Sequence, residues 1–190
     1  MTRADELEAA LRASPTVMRV LEFARSLDLA DWRLVSGSVY QTVWNRLTGR
    51  DPDYGVKDFD LVYFDPDTSW DAEDAAIQRA ETHFPPDLAP RVEVRNQARV
   101  HLWFEQKFGE PYAPLATTDE SLSRYVAPAF AVGVRLEPDD RIDIAAPFGL
   151  EDLFALRLRP NPQRQVSLKG FDRAATSLKA RWPEVEILRS

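Results

Sequence analysis

Asp58-Phe59-Asp60-Leu61-Val62-Tyr63-Phe64-Asp65 sets two carboxylates one residue apart at the head of an apolar run. The β-branched and aromatic residues that follow argue for a strand over Asp58–Phe64, which Pro66 terminates. Successive strand side chains point to opposite faces, so Asp58 and Asp60 project together, about 6.6 Å apart along the chain. Two anions on one face repel unless something positive sits between them. A divalent cation is one purpose for such a pair. Strand-edge charges that discourage aggregation are the other.

Upstream, Trp32 to Val35 reads as a short buried strand closed by Ser36-Gly37-Ser38, and a helix follows from about Val39 to Leu47 with Gly49 as its stop. A strand that turns through glycine into a helix N-terminus presents unsatisfied N–H groups and the positive end of the helix dipole. Phosphate oxygens suit that corner. Gly37 would let a phosphate approach the backbone and the Ser38 hydroxyl could add a hydrogen bond; an ordinary tight turn is the competing reading. Mg²⁺ is normally held by a few carboxylates plus substrate phosphates, so the corner and the aspartate pair together suggest a nucleoside triphosphate with Mg²⁺ or Mn²⁺.

The rest of the chain alternates helices and strands. Helical composition over 3–13 is followed by Ser14-Pro15, an N-cap and first-turn proline for a helix to about Leu27. Arg50 to Gly55 is a polar loop, a helix is expected over roughly 71–83, and a strand at Arg91–Arg95. Asn96 to Phe108 fits either period; Asn96 as cap and Gly109 as stop favour a helix. Beyond it come a short helix near 119–126, strands near 130–136 and 141–145, a helix near 150–158, a turn at Pro160-Asn161-Pro162 and a final helix over about 165–180. This order predicts an α+β fold, a mixed β-sheet flanked by helices.

Length and composition fit one domain: 190 residues, 44% hydrophobic and 29% charged. The chain has no cysteine, which excludes disulfides and thiolate metal sites and suits a reducing compartment. No apolar signal core follows Met1, and no segment is long enough to span a bilayer, so a cytoplasmic protein without membrane contact is expected. A net charge of -7 argues against extended nucleic-acid binding.

Gly37-Ser38, a helix, then Asp58-Phe59-Asp60 on a strand resembles the polymerase-β-like nucleotidyltransferase superfamily. Four runs in order resemble one bacterial branch of it: Gly37 to Asn45 (GSVYQTVWN), Lys57 to Asp65 (KDFDLVYFD), Asn96 to Trp103 (NQARVHLW) and Ala146 to Leu153 (APFGLEDL). The resemblance covers most of residues 30–160. It implies a core over about 30–110 with a C-terminal helical and strand extension over about 111–190, in a single domain. It also implies a third carboxylate on a neighbouring strand. Glu93, on the face of its strand opposite the apolar valines, is the best match, with Asp143 in reserve. Residues 39–57 separate Ser38 from Asp58, a longer gap than the superfamily usually shows, with the excess in the Arg50–Gly55 loop.

The implied function is transfer of a nucleoside monophosphate from a triphosphate to a hydroxyl-bearing acceptor, with release of pyrophosphate. Asp58, Asp60 and Glu93 would be the catalytic and metal-binding set, and Gly37 and Ser38 would take the nucleotide. The acceptor stays open between a small molecule, a protein and an RNA end. The alternative is an inactive nucleotide- or partner-binding module on the same fold. An aspartyl-nucleophile phosphohydrolase fits poorly, because the apolar residues follow the aspartates instead of preceding them, and a glycosidase pair would not share one strand. Arg95 and Arg99 read as solvated surface, His101 as a satisfied structural histidine and His83 as a helix-end residue. Trp44, Trp103 and Phe148 read as core, and Asp65, Asp67 and Asp71 as turn and cap residues.

Overall fold

The computed structural model describes residues 2–163 and 169–189. Cap chemistry sets the opening helices. The Thr2 hydroxyl accepts from the Asp5 amide while the Asp5 carboxylate accepts from the Thr2 amide, starting α1 (Arg3–Arg12). The Ser14 hydroxyl accepts from the Val17 amide at the head of α2 (Pro15–Leu27). Leu7 and Leu11 on α1, and Val17, Val20, Leu21 and Ala24 on α2, are wholly buried.

These helices lie against a five-stranded sheet of β1 (Arg33–Val35), β2 (Phe59–Tyr63), β3 (Val92–Asn96), β4 (Gly133–Leu136) and β5 (Ile142–Ala145). The strand order is β3-β2-β1-β4-β5, with β2 and β3 parallel and the other pairs antiparallel. A parallel pair needs a crossover, and α4 (Trp70–His83) supplies it. Helix α3 (Gly37–Leu47) links β1 to β2. Short elements follow: α5 (Phe104–Phe108), α6 (Thr118–Leu122), α7 (Glu151–Phe154), β6 (Arg157–Leu158), α8 (Lys169–Arg181) and β7 (Glu186–Ile187), with β6 and β7 forming a separate parallel pair. The mixed sheet with flanking helices is the α+β architecture expected from the sequence.

The two faces of the sheet divide the labour. Leu34, Phe59, Leu61, Val94, Val134 and Leu136 point into the main core with the helices. The opposite face carries Arg33, Asp60, Glu93, Arg95, Arg135 and Asp143, with a small apolar island of Val35, Val62, Leu122 and Ala131.

Several boundaries differ from expectation. Asn96 to Phe108 is not one helix but a 3₁₀ segment (Gln97–Leu102) followed by α5, which Gly109 ends at φ 71°. Asn96 caps the segment as expected, but Arg99 is buried on Glu73 at 3.1 Å and donates to the Ser69 carbonyl, pinning the first half in the tighter winding. The helix expected near 150–158 stops after one turn, where Leu156 takes φ 47°, and the chain enters β6. Helix α8 extends to Arg181; the stretch 165–168 of the expected helix lies outside the described residues.

The long Arg50–Gly55 loop is anchored on three sides. The Asn45 amide donates to the Pro52 and Tyr54 carbonyls, Asp53 accepts from Ser14 and Thr16, and Arg50 forms a bidentate pair with Glu184. The glycine corner and the aspartate strand stay together across α3 and this loop, since Val35 and Asp60 are direct register partners.

Candidate active site

The corner after β1 and the start of β2 meet at one edge of the polar face. Asp60 pairs with Val35 across the antiparallel ladder and with Glu93 across the parallel one. Equal register on parallel strands puts Asp60 and Glu93 side by side. Asp58 precedes β2 and acts on Asp60 through its charge. The Asp60 carboxyl is pushed up to about 6 from 3.8, first by burial, then by Glu93, with the Ser36 side chain pulling it down and Asp58 pushing it up again. Two neighbouring carboxylates therefore bear on Asp60 at this edge.

Among the described residues no three carboxylates or imidazoles close into a ready-made cation cage. Glu93 is half exposed and lies 4.0 Å from Arg95. The donors fit a hard, oxygen-seeking dication that completes its shell with ligand oxygens. Asp143 does not belong to this edge. Strands β1 and β4 lie between it and Asp60. Its carboxylate is held by Arg33 at 2.8 Å, Arg135 at 3.7 Å and Arg141 at 3.8 Å.

Two concavities meet at Asp60. A polar cleft of 570 Å³ is lined by Gly37, Gln41, Gly55, Lys57, Asp58 and Arg181, among others. An aromatic chamber of 430 Å³ is lined by Arg95, Gln97, Trp103, Ser121, Tyr125 and Phe130, among others. Ser36, Tyr40 and Asp60 line both. The cleft couples a helix N-terminus with Lys57 and Arg181, and a Cβ at Gly37 would come within 2.8 Å of the Gln41 amide nitrogen, the free end of a flexible side chain that would swing aside.

Ser38 does not face this cleft. It is fully buried, and its hydroxyl donates to the Val35 carbonyl at 3.0 Å, because α3 begins at Gly37 and turns Ser38 inward. The serine at the corner is Ser36, at φ 63° and ψ -136°, a conformation that costs a non-glycine residue free energy and persists only where its surroundings enforce it. The residue order gave no sign of that backbone state. Arg181 was equally hidden, since only the docking of α8 brings it to Gly55, whose carbonyl accepts from its guanidinium at 3.4 Å.

The remaining expectations sort themselves on the same frame. Trp44 is core, donating to the Leu153 carbonyl, and Phe148 packs on the apolar island. Trp103 lines the aromatic chamber instead. Arg95 is about half exposed, whereas Arg99 is buried rather than solvated. His83 sits at the end of α4 against the Phe23 carbonyl and the Ser26 hydroxyl. The expected hydrogen bond for His101 is missing at Nδ1, which is buried without a partner. Asp65 and Asp67 accept from the Asp67 and Ser69 amides as turn residues.

A family model described as nucleotidyltransferase matches residues 22–187. The chain belongs to this nucleotidyltransferase family. Among solved structures it is similar to a CCA-adding enzyme head domain determined by NMR, at 27% identity and a TM-score of 0.77, over 97% of this chain and 95% of that one. It also resembles CCA-adding enzymes solved in complex with CTP (18% identity, TM-score 0.54) and with ATP (16%, 0.55), covering 97% of this chain and 42% of each of those chains. These two likenesses extend to the fold alone. No curated protein matches the chain significantly. The nucleotidyltransferase fold and the polymerase-β-like resemblance read from the sequence therefore stand together. Among the described residues no helix is long and apolar enough to cross a membrane.

The raised Asp60 pKa gives a stability prediction for the protein in EDTA. The folded state binds this proton more tightly than the unfolded chain, so the contribution of Asp60 is most favourable below about pH 4 and is lost as pH rises through about 6. The loss is on the order of 2–3 kcal/mol by neutral pH. Asp60→Asn removes it, so the stability advantage of the variant over the wild type should grow between pH 4 and pH 7.5 in urea unfolding. A pH-independent difference would show that burial and the neighbouring carboxylates do not raise the Asp60 carboxyl.

Proposed function

We propose that the protein transfers a nucleoside monophosphate from a nucleoside triphosphate to a hydroxyl-bearing acceptor and releases pyrophosphate. The observation that carries this is the position of Asp60, flanked by Asp58 and Glu93 and shared by a polar cleft and an aromatic chamber. Family membership and the likeness to a CCA-adding enzyme head domain support it. So do the CTP and ATP in the two further structures of similar fold.

The β- and γ-phosphates lie in the cleft against the α3 N-terminus at Gly37, with Lys57 and Arg181 balancing their charge. Asp58, Asp60 and Glu93 would hold Mg²⁺ or Mn²⁺, which would supply charge neutralisation at the transferring phosphoryl group. The acceptor oxygen attacks the α-phosphorus in line, the bond from that phosphorus to the bridging oxygen breaks, and pyrophosphate carries away the electron pair. Glu93, the more exposed carboxylate, takes the acceptor proton. Ser36 steadies Asp60 at the corner.

One observation favours the alternative of a binding module without chemistry: Glu93 leans towards Arg95 instead of closing a three-carboxylate cage. Incubation with each α-labelled nucleoside triphosphate, Mg²⁺ and a cell extract separates the two. Label should pass to an acceptor and fall at least about a hundredfold in Glu93→Gln, the cost expected for losing a proton acceptor. Triphosphate binding without transfer of any label would establish the module reading. Mn²⁺ affinity unchanged by Asp58→Ala with Asp60→Ala would remove the metal site from both.

A further inference from the structure

A separate pocket of 460 Å³ lies at the far end of β2, between the end of α2 and the flank of α4. Its charged groups come from three segments of the chain. Asp28 is the C-cap of α2 at φ 55°, Asp65 follows β2, and Arg79 projects from α4. The Phe64 amide donates to the Ala30 carbonyl at 3.1 Å, which holds the first two segments together. Leu29 and the alanines of α4 supply an apolar wall. A cavity of this volume with a few convergent polar groups suits a small molecule.

The polar groups of this pocket lack protein partners. Neither the Asp28 carboxylate nor the Arg79 guanidinium forms an ion pair or hydrogen bond with any of the described residues. Tyr63 is the independent observation. It is 3% exposed, lines the pocket, and its hydroxyl makes no hydrogen bond among the described residues. A hydroxyl buried in that way costs free energy unless something in the pocket pairs with it. Burial first, then Glu73 and Asp65, push it up to about 12, so it keeps its proton at neutral pH and both donates and accepts. Tyr63 belongs to the main core face of the sheet and Asp60 to the opposite one, so an occupant of this pocket is no reactant at Asp60.

We infer that the pocket between α2 and α4 binds a free basic α-amino acid, a molecule with one carboxylate, two cationic groups and a short aliphatic stem. Two carboxylates against one guanidinium give the pocket an excess of negative charge, and a basic amino acid carries the complementary set. Its cationic groups face Asp28 and Asp65. Its carboxylate takes the paired N–H groups of Arg79, the geometry a guanidinium favours. The stem lies on Leu29 and the alanines, and the Tyr63 hydroxyl accepts from the nearer cationic group.

The test is calorimetric titration of the wild type, Tyr63→Phe, Arg79→Gln and Asp28→Asn. The ligands are L-lysine, L-ornithine and L-arginine, with L-leucine, L-glutamate and cadaverine as controls. At least one basic amino acid should bind the wild type about tenfold more tightly than every control. Arg79→Gln removes the partner of the carboxylate, so it should weaken that binding about tenfold and leave cadaverine binding no weaker. Asp28→Asn keeps a residue type that tolerates the left-handed turn and should weaken the amino acid and cadaverine alike. Tyr63→Phe should weaken the amino acid about fivefold. It should melt no lower than the wild type, since it removes an unpaired hydroxyl, and so it reads binding even where a charge variant folds poorly. Basic amino acids that bind no better than L-leucine, or that ignore both Tyr63→Phe and Arg79→Gln, overturn the inference. Cadaverine binding as tightly as L-lysine overturns it too, because the carboxylate would then have no place in recognition.

Discussion

Asp60→Asn should lower nucleotidyl transfer by about a thousandfold or more, the scale lost when a group that organises charge at the reacting phosphorus is removed. The substitution conserves shape and keeps the Ser36 contact available, so the fold should be retained. It removes the negative charge at the one carboxylate shared by cleft and chamber. Tripolyphosphate binding without metal should change little or tighten, because an anion has left the cleft. The discriminating measurement is pyrophosphate release at saturating Mg²⁺ for wild type, Asp60→Asn and Asp143→Asn. Asp143 is tied to three arginines on the far side of β1 and β4, and its loss should cost stability rather than chemistry. Equal rates for wild type and Asp60→Asn would sink the proposed function.

Trp182→Ala should destabilise the protein by about 3–5 kcal/mol, the range for truncating a wholly buried aromatic side chain. Trp182 is fully buried just beyond α8, packs edge-on to Trp44 and Tyr54, and donates its indole N–H to Asn45 Oδ1 at 3.0 Å. Asn45 spends its other polar atoms on the Pro52 and Tyr54 carbonyls, so the substitution also strands a buried amide oxygen. Arg181 precedes Trp182, and its loss from the cleft should weaken tripolyphosphate binding before global unfolding. Denaturant midpoints give the stability, and titration at low denaturant gives the binding. Trp182→Phe keeps most of the packing and forfeits the indole hydrogen bond, so it should fall between the two.

The aspartate strand and the glycine corner were legible because their signals are local: alternation, a proline stop, and a strand running through Gly37 into a helix. Glu93 was legible as a carboxylate on the polar side of a strand. Its rank above Asp143 rested on strand face and resemblance alone, since both lie in valine- or isoleucine-flanked runs. Strand order separates them, and strand order depends on pairings between distant segments. Ser38 misled for a related reason. The motif names Gly37 and Ser38, yet the helix starts two residues earlier than its apolar stripe suggests, which turns Ser38 inward and leaves Ser36 at the corner. The split of Asn96 to Phe108 escaped periodicity because a buried ion pair between Arg99 and Glu73, rather than an apolar stripe, sets the backbone there.

The polar cleft joins residues 36–60 to residues 177–181. More than a hundred residues of chain separate its two walls, and the aspartates, the corner and Lys57 are all synthesised before α8 exists. Chains are made from the N-terminus at roughly 5–20 residues per second, so for several seconds the emerging polypeptide carries the acidic half of the site without Arg181. Closing so long a loop is among the last events the backbone can complete. The Arg181 guanidinium thus reaches the cleft together with the burial of Trp182, and a nascent or misdocked chain carries the acidic wall of the cleft without the guanidinium that faces it.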